Sequence, residues 1–240
     1  MNYQDFVHPE DAAALEKLKA IPGFDKASRW LMDVGFERLY HGMLMAQNVR
    51  LSKTQLPSIY NLLPPVCEKF GIDEPEFYLQ MDPSPNAFTF GDTKVFITVT
   101  SGLIEYMEKD EIDAILAHEC GHILCHHVLY HTMAQMITAL SEGVLGVMIK
   151  PIEYSLLYWD RMSEFSSDRV AALITNPEVV SRVMARLSGG PKSITENIDF
   201  EEWAKQAAEY EKIKQKRHTG NRHVVSEYKD AHMCSDAHVS

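Results

Sequence analysis

Apolar positions over residues 9–70 recur with a helical period. Pro9 opens a first helix whose Ala12, Leu15, Leu18 and Ile21 fall on one stripe. A second helix is predicted from about Lys26 to Gln47, weakened at Gly35 and Gly42. A third starts near Pro57 and stops before Gly71, interrupted at Pro64-Pro65. The period then shortens to two: Phe77, Leu79 and Met81 alternate with Tyr78 and Gln80, as in a strand. Asn86–Phe90 and Lys94–Thr100 flank Gly91-Asp92-Thr93, which predicts a hairpin turning at the glycine. Helical spacing returns with Asp110 as the expected N-cap of a long helix through about Ala134, and again from about Ser155 to Ile174. Gly189-Gly190-Pro191 breaks the chain, and Asp199 with Glu202 resembles a capping box before Phe200, Trp203, Ala207 and Tyr210. The fold class expected is α+β, mostly helical with a small β-sheet. It is read as one domain: an N-terminal helical part (1–74), a core (75–190), a C-terminal helix (191–217) and a polar tail (218–240).

Composition narrows the partners. The 240 residues carry 45% hydrophobic and 24% charged positions, enough for a folded core. Against 34 Asp+Glu stand 23 Lys+Arg, a net charge of −11, and the short Lys212–Arg217 stretch is too small a basic footprint for nucleic acid. Four cysteines, none spaced C-x-x-C, read as reduced thiols in a cytoplasmic setting, and the N-terminus shows no secretory pattern. Met133–Ile149 is the most apolar stretch, but Gln135, Thr138, Ser141 and Glu142 argue against a span. It is expected to be a core or cleft-covering helix. Interfacial contact with a membrane surface or an oligomer partner stays open, as does the oligomeric state.

The chemistry concentrates in Ala117-His118-Glu119-Cys120-Gly121-His122. Residues four apart share a helix face, so both imidazoles reach one metal ion while Glu119 points at the remaining coordination space. A catalytic zinc takes three protein ligands and a water. On a straight helix His126 lies about 12 Å along the axis from His118, too far to share an ion, so His126, His127 and His131 are read as solvent-facing or packing histidines. The metzincin pattern fails at Cys125 and Val128. A carboxylate on a second helix is the alternative. Glu164 and Asp168 share a face in Arg161-Met162-Ser163-Glu164-Phe165-Ser166-Ser167-Asp168-Arg169, with Glu164 suited to the metal and Asp168 to the distal nitrogen of His118. Glu142 is the rival third ligand.

His118–His122, followed by Arg161-x-x-Glu164-x-x-Ser167-Asp168-Arg169, resembles the HtpX / CAAX-prenyl-protease family of gluzincin metallopeptidases. Pro85-Asn86-Ala87-Phe88 and Val99-Thr100-Ser101-Gly102-Leu103 resemble that family's edge-strand and pre-helix motifs. The resemblance implies a zincin-like fold, one Zn2+ held by His118, His122 and Glu164, and a strand at Asn86, Ala87 and Phe88 that borders the cleft and pairs with an extended peptide or protein substrate. Glu119 would be the general base. The chain lacks the spanning helices of many members, and so resembles the soluble ones. It also lacks their downstream His-Pro; Asp236-Ala237-His238-Val239 is the nearest match, with His238 as a guess at the group that polarises substrate and an untethered tail as the favoured reading. The alternative is a latent enzyme, with Met133–Ile149 as its lid, or a non-catalytic zinc-stabilised binding module.

Overall fold

In the computed structural model the residues described are 3–24, 26, 36–140, 146–206 and 209. Two units divide the chain, Met1–Val183 and Met184–Ser240. In the first, His8 caps helix α1 (Pro9–Lys19), its Nδ1 accepting from the Glu10 N–H at 3.2 Å. The buried face of α1 differs from the apolar stripe: Asp11, Ala14 and Leu18 are inside and Ala12 is exposed. A carboxylate on that face requires partners, and they come from one other helix (Trp159 and Ser166) and from a turn (His127).

Helix α2 (Phe36–Gln47) covers the described end of the second predicted helix; residues 27–35 lie outside the described residues. The expected interruption at the prolines separates α3 (Pro57–Tyr60) from α4 (Pro64–Phe70), which ends at Gly71. The strands β1 (Val49–Arg50), β2 (Glu76–Gln80), β3 (Ala87–Gly91) and β4 (Val95–Thr100) form a sheet of order β1-β2-β4-β3. β2 runs parallel to β4, and β3 closes an antiparallel hairpin on β4, Thr89 opposite Ile97 and Gly91 opposite Val95. Gly91 has φ 125°, and a Cβ there would meet the Lys94 carbonyl oxygen at 1.9 Å, so the tight turn requires glycine. On one side Tyr78, Phe90 and Phe96 pack with Leu44 and Tyr40 of α2.

A short α5 (Ser101–Tyr106) leads into α6 (Lys109–Leu124). The cap of α6 is Glu108 rather than Asp110, because Glu111 at the third helical position accepts from the Glu108 N–H at 2.8 Å and completes a capping box. Nor does α6 continue to Ala134. It ends at Leu124, His126 takes the left-handed conformation (φ 61°), and α7 (Val128–Leu140) begins after the turn. The next helix, α8 (Gly146–Ile174, 29 residues), starts earlier than Ser155. Met133, Ala134, Met136 and Ile137 of α7 are buried with Ala14 and Leu18 of α1 and Leu156 and Trp159 of α8. Met133–Ile137, the start of the Met133–Ile149 stretch, is therefore core; residues 141–145, including Glu142, lie outside the described residues. Among the described residues no helix is long and apolar enough to cross a membrane.

Helix α9 (Pro177–Gly189) crosses from the first unit into the second. There α10 (Lys192–Thr195) is followed by a helical stretch at 200–206, capped by Asp199, whose carboxylate accepts from the N–H groups of Glu201 (2.9 Å) and Glu202 (3.1 Å). The polar tail, with His238, lies outside the described residues.

Candidate metal centre

α6 and α8 approach unusually closely where the site forms. A Cβ on Gly121 would lie 3.0 Å from Ser167 Cα and 3.1 Å from Val170 Cβ. That closeness lets side chains from facing turns converge. His118 Nε2 lies 3.1 Å from His122 Nε2 and 3.1 Å from Glu164 Oε2, and His122 Nε2 lies 3.5 Å from Glu164 Oε1. Two donors about 2.1 Å from a tetrahedral zinc stand about 3.4 Å apart, so the three side chains bring their donor atoms to spacings close to those such an ion requires. Two imidazole nitrogens and one carboxylate are also a donor set that zinc favours.

Asp168 Oδ1 lies 2.9 Å from His118 Nδ1. A carboxylate only accepts, so Nδ1 carries a proton, and it is Nε2 that presents a lone pair to the trio once it has released its own. Arg161 forms no ion pair with Glu164 or Asp168 among the described residues.

The metal-free electrostatics divide the two histidines. Burial opposes charge on His118, but hydrogen bonds to Asp168 and Glu164 outweigh it and raise its pKa well above the ordinary value. Burial, reinforced by nearby His131, drives His122 well below it. For Glu164 burial opposes ionisation, yet His122 and His118 hold it well below the usual carboxylate range.

Glu119 is buried on the same helix, and its Oε2 accepts from the Thr89 hydroxyl at 2.6 Å. Thr89 lies in the middle of β3, the sheet's edge strand. The Asn86–Phe88 stretch leads into this position. Asn86 and Thr100 bond through the Thr100 N–H and the Asn86 carbonyl at 2.9 Å, Ala87 is buried opposite Val99, and Phe88 is half-buried opposite Thr98. Thr89 is the neighbour that alternation alone does not single out: a threonine in a strand reads as an ordinary β former.

Behind the trio, the turn at His126 folds two further histidines towards His122. His126 itself is exposed and packs edge-on to Tyr3. His127 is buried, its Nδ1 3.1 Å from His122 Nδ1 and its Nε2 2.9 Å from Asp11 Oδ2. Burial lowers the pKa of His127 despite Asp11. His131 stacks edge-on to His122 and pairs through Nδ1 with Asp160 at 2.5 Å; Asp160 raises it against the effect of burial. His127 and His131 lie against His122, and ring nitrogens of the three are themselves close enough together to hold a metal ion; the straight-helix distance argument does not apply, since the helix stops before them.

Residues 55–232 match Peptidase family M48. The chain belongs to that family. It is 34% identical to the plastoglobule-localized metallopeptidase 48, chloroplastic, of Arabidopsis thaliana over 88% of this chain and 63% of the relative. It is also 27% identical to a protease HtpX homolog of Dictyoglomus thermophilum, over 57% of this chain and 56% of that protein, and 26% identical to one from Tropheryma whipplei, over 63% of each. The chain thus spans roughly three fifths of the length of these M48 relatives. The matched M48 span includes all of α6 and α8 but not α1.

Proposed function

We propose that the chain is a zinc metalloendopeptidase acting on extended or unfolded polypeptide, with one Zn2+ per chain on His118, His122 and Glu164. The observation that carries this reading is the convergence of those three side chains, with the buried carboxylate of Glu119 next to His118 on the same helix. Bound zinc supplies a Lewis acid that polarises the scissile carbonyl and acidifies water. Glu119 accepts the proton of the attacking water and delivers it to the leaving amine. Thr89 ties one Glu119 oxygen and leaves the other for the proton.

Substrate selection follows from the edge strand. Asn86 pairs with Thr100 by hydrogen bond, so antiparallel alternation turns the N–H and C=O of Ala87 and Thr89 away from β4. At Gly91 the outward groups are taken by Thr132, which donates to the carbonyl at 2.9 Å and accepts from the N–H at 3.1 Å. An extended polypeptide would add along Ala87–Thr89, its main chain supplying affinity. Such addition needs unfolded backbone, hence the substrate class. The buried free cysteines Cys67, Cys120 and Cys125 support a reducing compartment such as the cytoplasm.

The test is Glu119→Gln. It should keep one zinc per chain by elemental analysis and lose at least a hundredfold in cleavage of a denatured protein, on the scale of lost acid–base catalysis. Undiminished cleavage by that variant would refute the role.

A further inference from the structure

We infer that Asp11 and His127 are positioning residues of the metal centre: from the N-terminal helix, Asp11 sets the tautomer of His127, and His127 sets that of His122. The inference rests on the zinc reading above and deepens it. It follows from counting donors. Asp11 is 1% exposed and its carboxylate faces three partners, His127 Nε2 at 2.9 Å, the Trp159 Nε1–H at 2.9 Å and the Ser166 hydroxyl at 2.6 Å. An ionised carboxylate offers no proton, so His127 must carry its own on Nε2. In the neutral ring Nδ1 is then bare and accepts. Its neighbour at 3.1 Å is His122 Nδ1, which must donate. His122 is left with a bare Nε2, and that atom is the one among His118 and Glu164.

The two imidazoles of the trio are therefore set by two carboxylates, Asp168 directly and Asp11 through one intervening ring. Only the first was expected from the helix that bears Glu164. The second comes from α1, outside the span matched to the family, and it explains why α1 turns an aspartate rather than an alanine inward. The elements cooperate in this: the Ser166 hydroxyl that donates to Asp11 also accepts from the His8 N–H at 2.9 Å, anchoring the start of α1 to α8.

Asp11→Asn should invert the chain of proton positions. Trp159 fixes the amide oxygen on its own side, the amide NH2 then faces His127 Nε2, and His127 donates from Nδ1 to His122, whose proton moves to the metal-facing nitrogen. The expected result is zinc binding weakened 10- to 100-fold, measured by competition with a chromogenic chelator, the range typical for lost outer partners of a metal ligand. Side-chain 15N–1H correlation spectra of the full chain should show His127 protonated at Nε2 and His122 at Nδ1 in the wild type. Unchanged zinc affinity in a folded Asp11→Asn variant overturns the inference. If that variant fails to fold, a wild-type spectrum with His127 protonated at Nδ1 overturns it equally. So does a second zinc per chain that disappears in His127→Phe, which would make His122, His127 and His131 a metal site of their own. The underlying zinc reading is judged separately: a wild type without zinc, or Glu164→Ala with undiminished zinc, removes both, whereas Glu164-dependent zinc with an indifferent Asp11→Asn removes the relay alone.

Discussion

Thr89 and Glu119 join the sheet to the metal-bearing helix: a hydroxyl from the middle of the edge strand donates to the carboxylate at 2.6 Å. The strand expected to receive substrate and the residue expected to move protons are thereby held in one register. A hydrogen bond to a charged group contributes about 1.5–3 kcal/mol. Thr89→Val keeps the shape and removes the donor, so kcat should fall about tenfold or more. Zinc content should stay at the wild-type value, and Thr89→Ser should restore most of the rate. Steady-state kinetics with elemental analysis check this, and a variant that loses zinc instead would show that Thr89 supports the fold of the site rather than the base.

Gly121 sets the separation of the two helices that build the trio. A methyl group there meets Ser167 Cα at 3.0 Å and Val170 Cβ at 3.1 Å, a backbone and a branched side chain that have little room to yield. Gly121→Ala should push α8 outward and destabilise the chain by about 1–3 kcal/mol, the usual cost of overpacking. Because Glu164 and Asp168 ride on α8, zinc affinity should fall in parallel with the melting temperature. Calorimetry of the zinc-free and zinc-loaded forms separates the two effects.

What could be read from the sequence depended on whether a signal was periodic. His118 and His122 on one face, Glu164 and Asp168 on another, the prolines that divide α3 from α4 and the glycine of the hairpin all express themselves in local spacing, and the structure has these features. Three things do not. The stop at Leu124 is a left-handed residue, His126, in a stretch whose apolar positions continue at helical intervals, so periodicity extends the helix through it. Asp110 has the composition of a cap, but the reciprocal bond of Glu111 to Glu108 is a matter of geometry. Asp11 is invisible because an aspartate normally marks the outer face; only the donors on Trp159, Ser166 and His127, from remote parts of the chain, make its burial tolerable. The site's inner ligands are a local pattern, and their supports are tertiary.

The zinc-free protein should show a bell-shaped dependence of stability on pH centred near the ordinary histidine pKa of about 6.5. His118 and His131 have folded values above it, raised by Asp168 and Glu164 and by Asp160 against the effect of burial. Their contribution is complete below about 6.5 and is lost as pH rises through the folded values. His122 and His127 are lowered, chiefly by burial. The unfolded chain takes up protons at those two positions that the folded chain refuses, so stability is lost as pH falls from about 6.5 towards their folded values. Glu164, held low, adds a further loss only at more acid pH, below about 4.3. Zinc changes both arms of the curve, steepening the acid one because the unfolded chain takes up protons that the bound ligands refuse. The ligand nitrogen of His118 must be bare to bind, so loading releases its proton and abolishes that residue's part of the alkaline decline. Thermal unfolding of chelator-treated and zinc-loaded protein between about pH 5 and 10 should show a maximum that zinc broadens on the alkaline side. A zinc-free curve that rises steadily through this range would mean that His118 is not paired with Asp168 and Glu164 in solution.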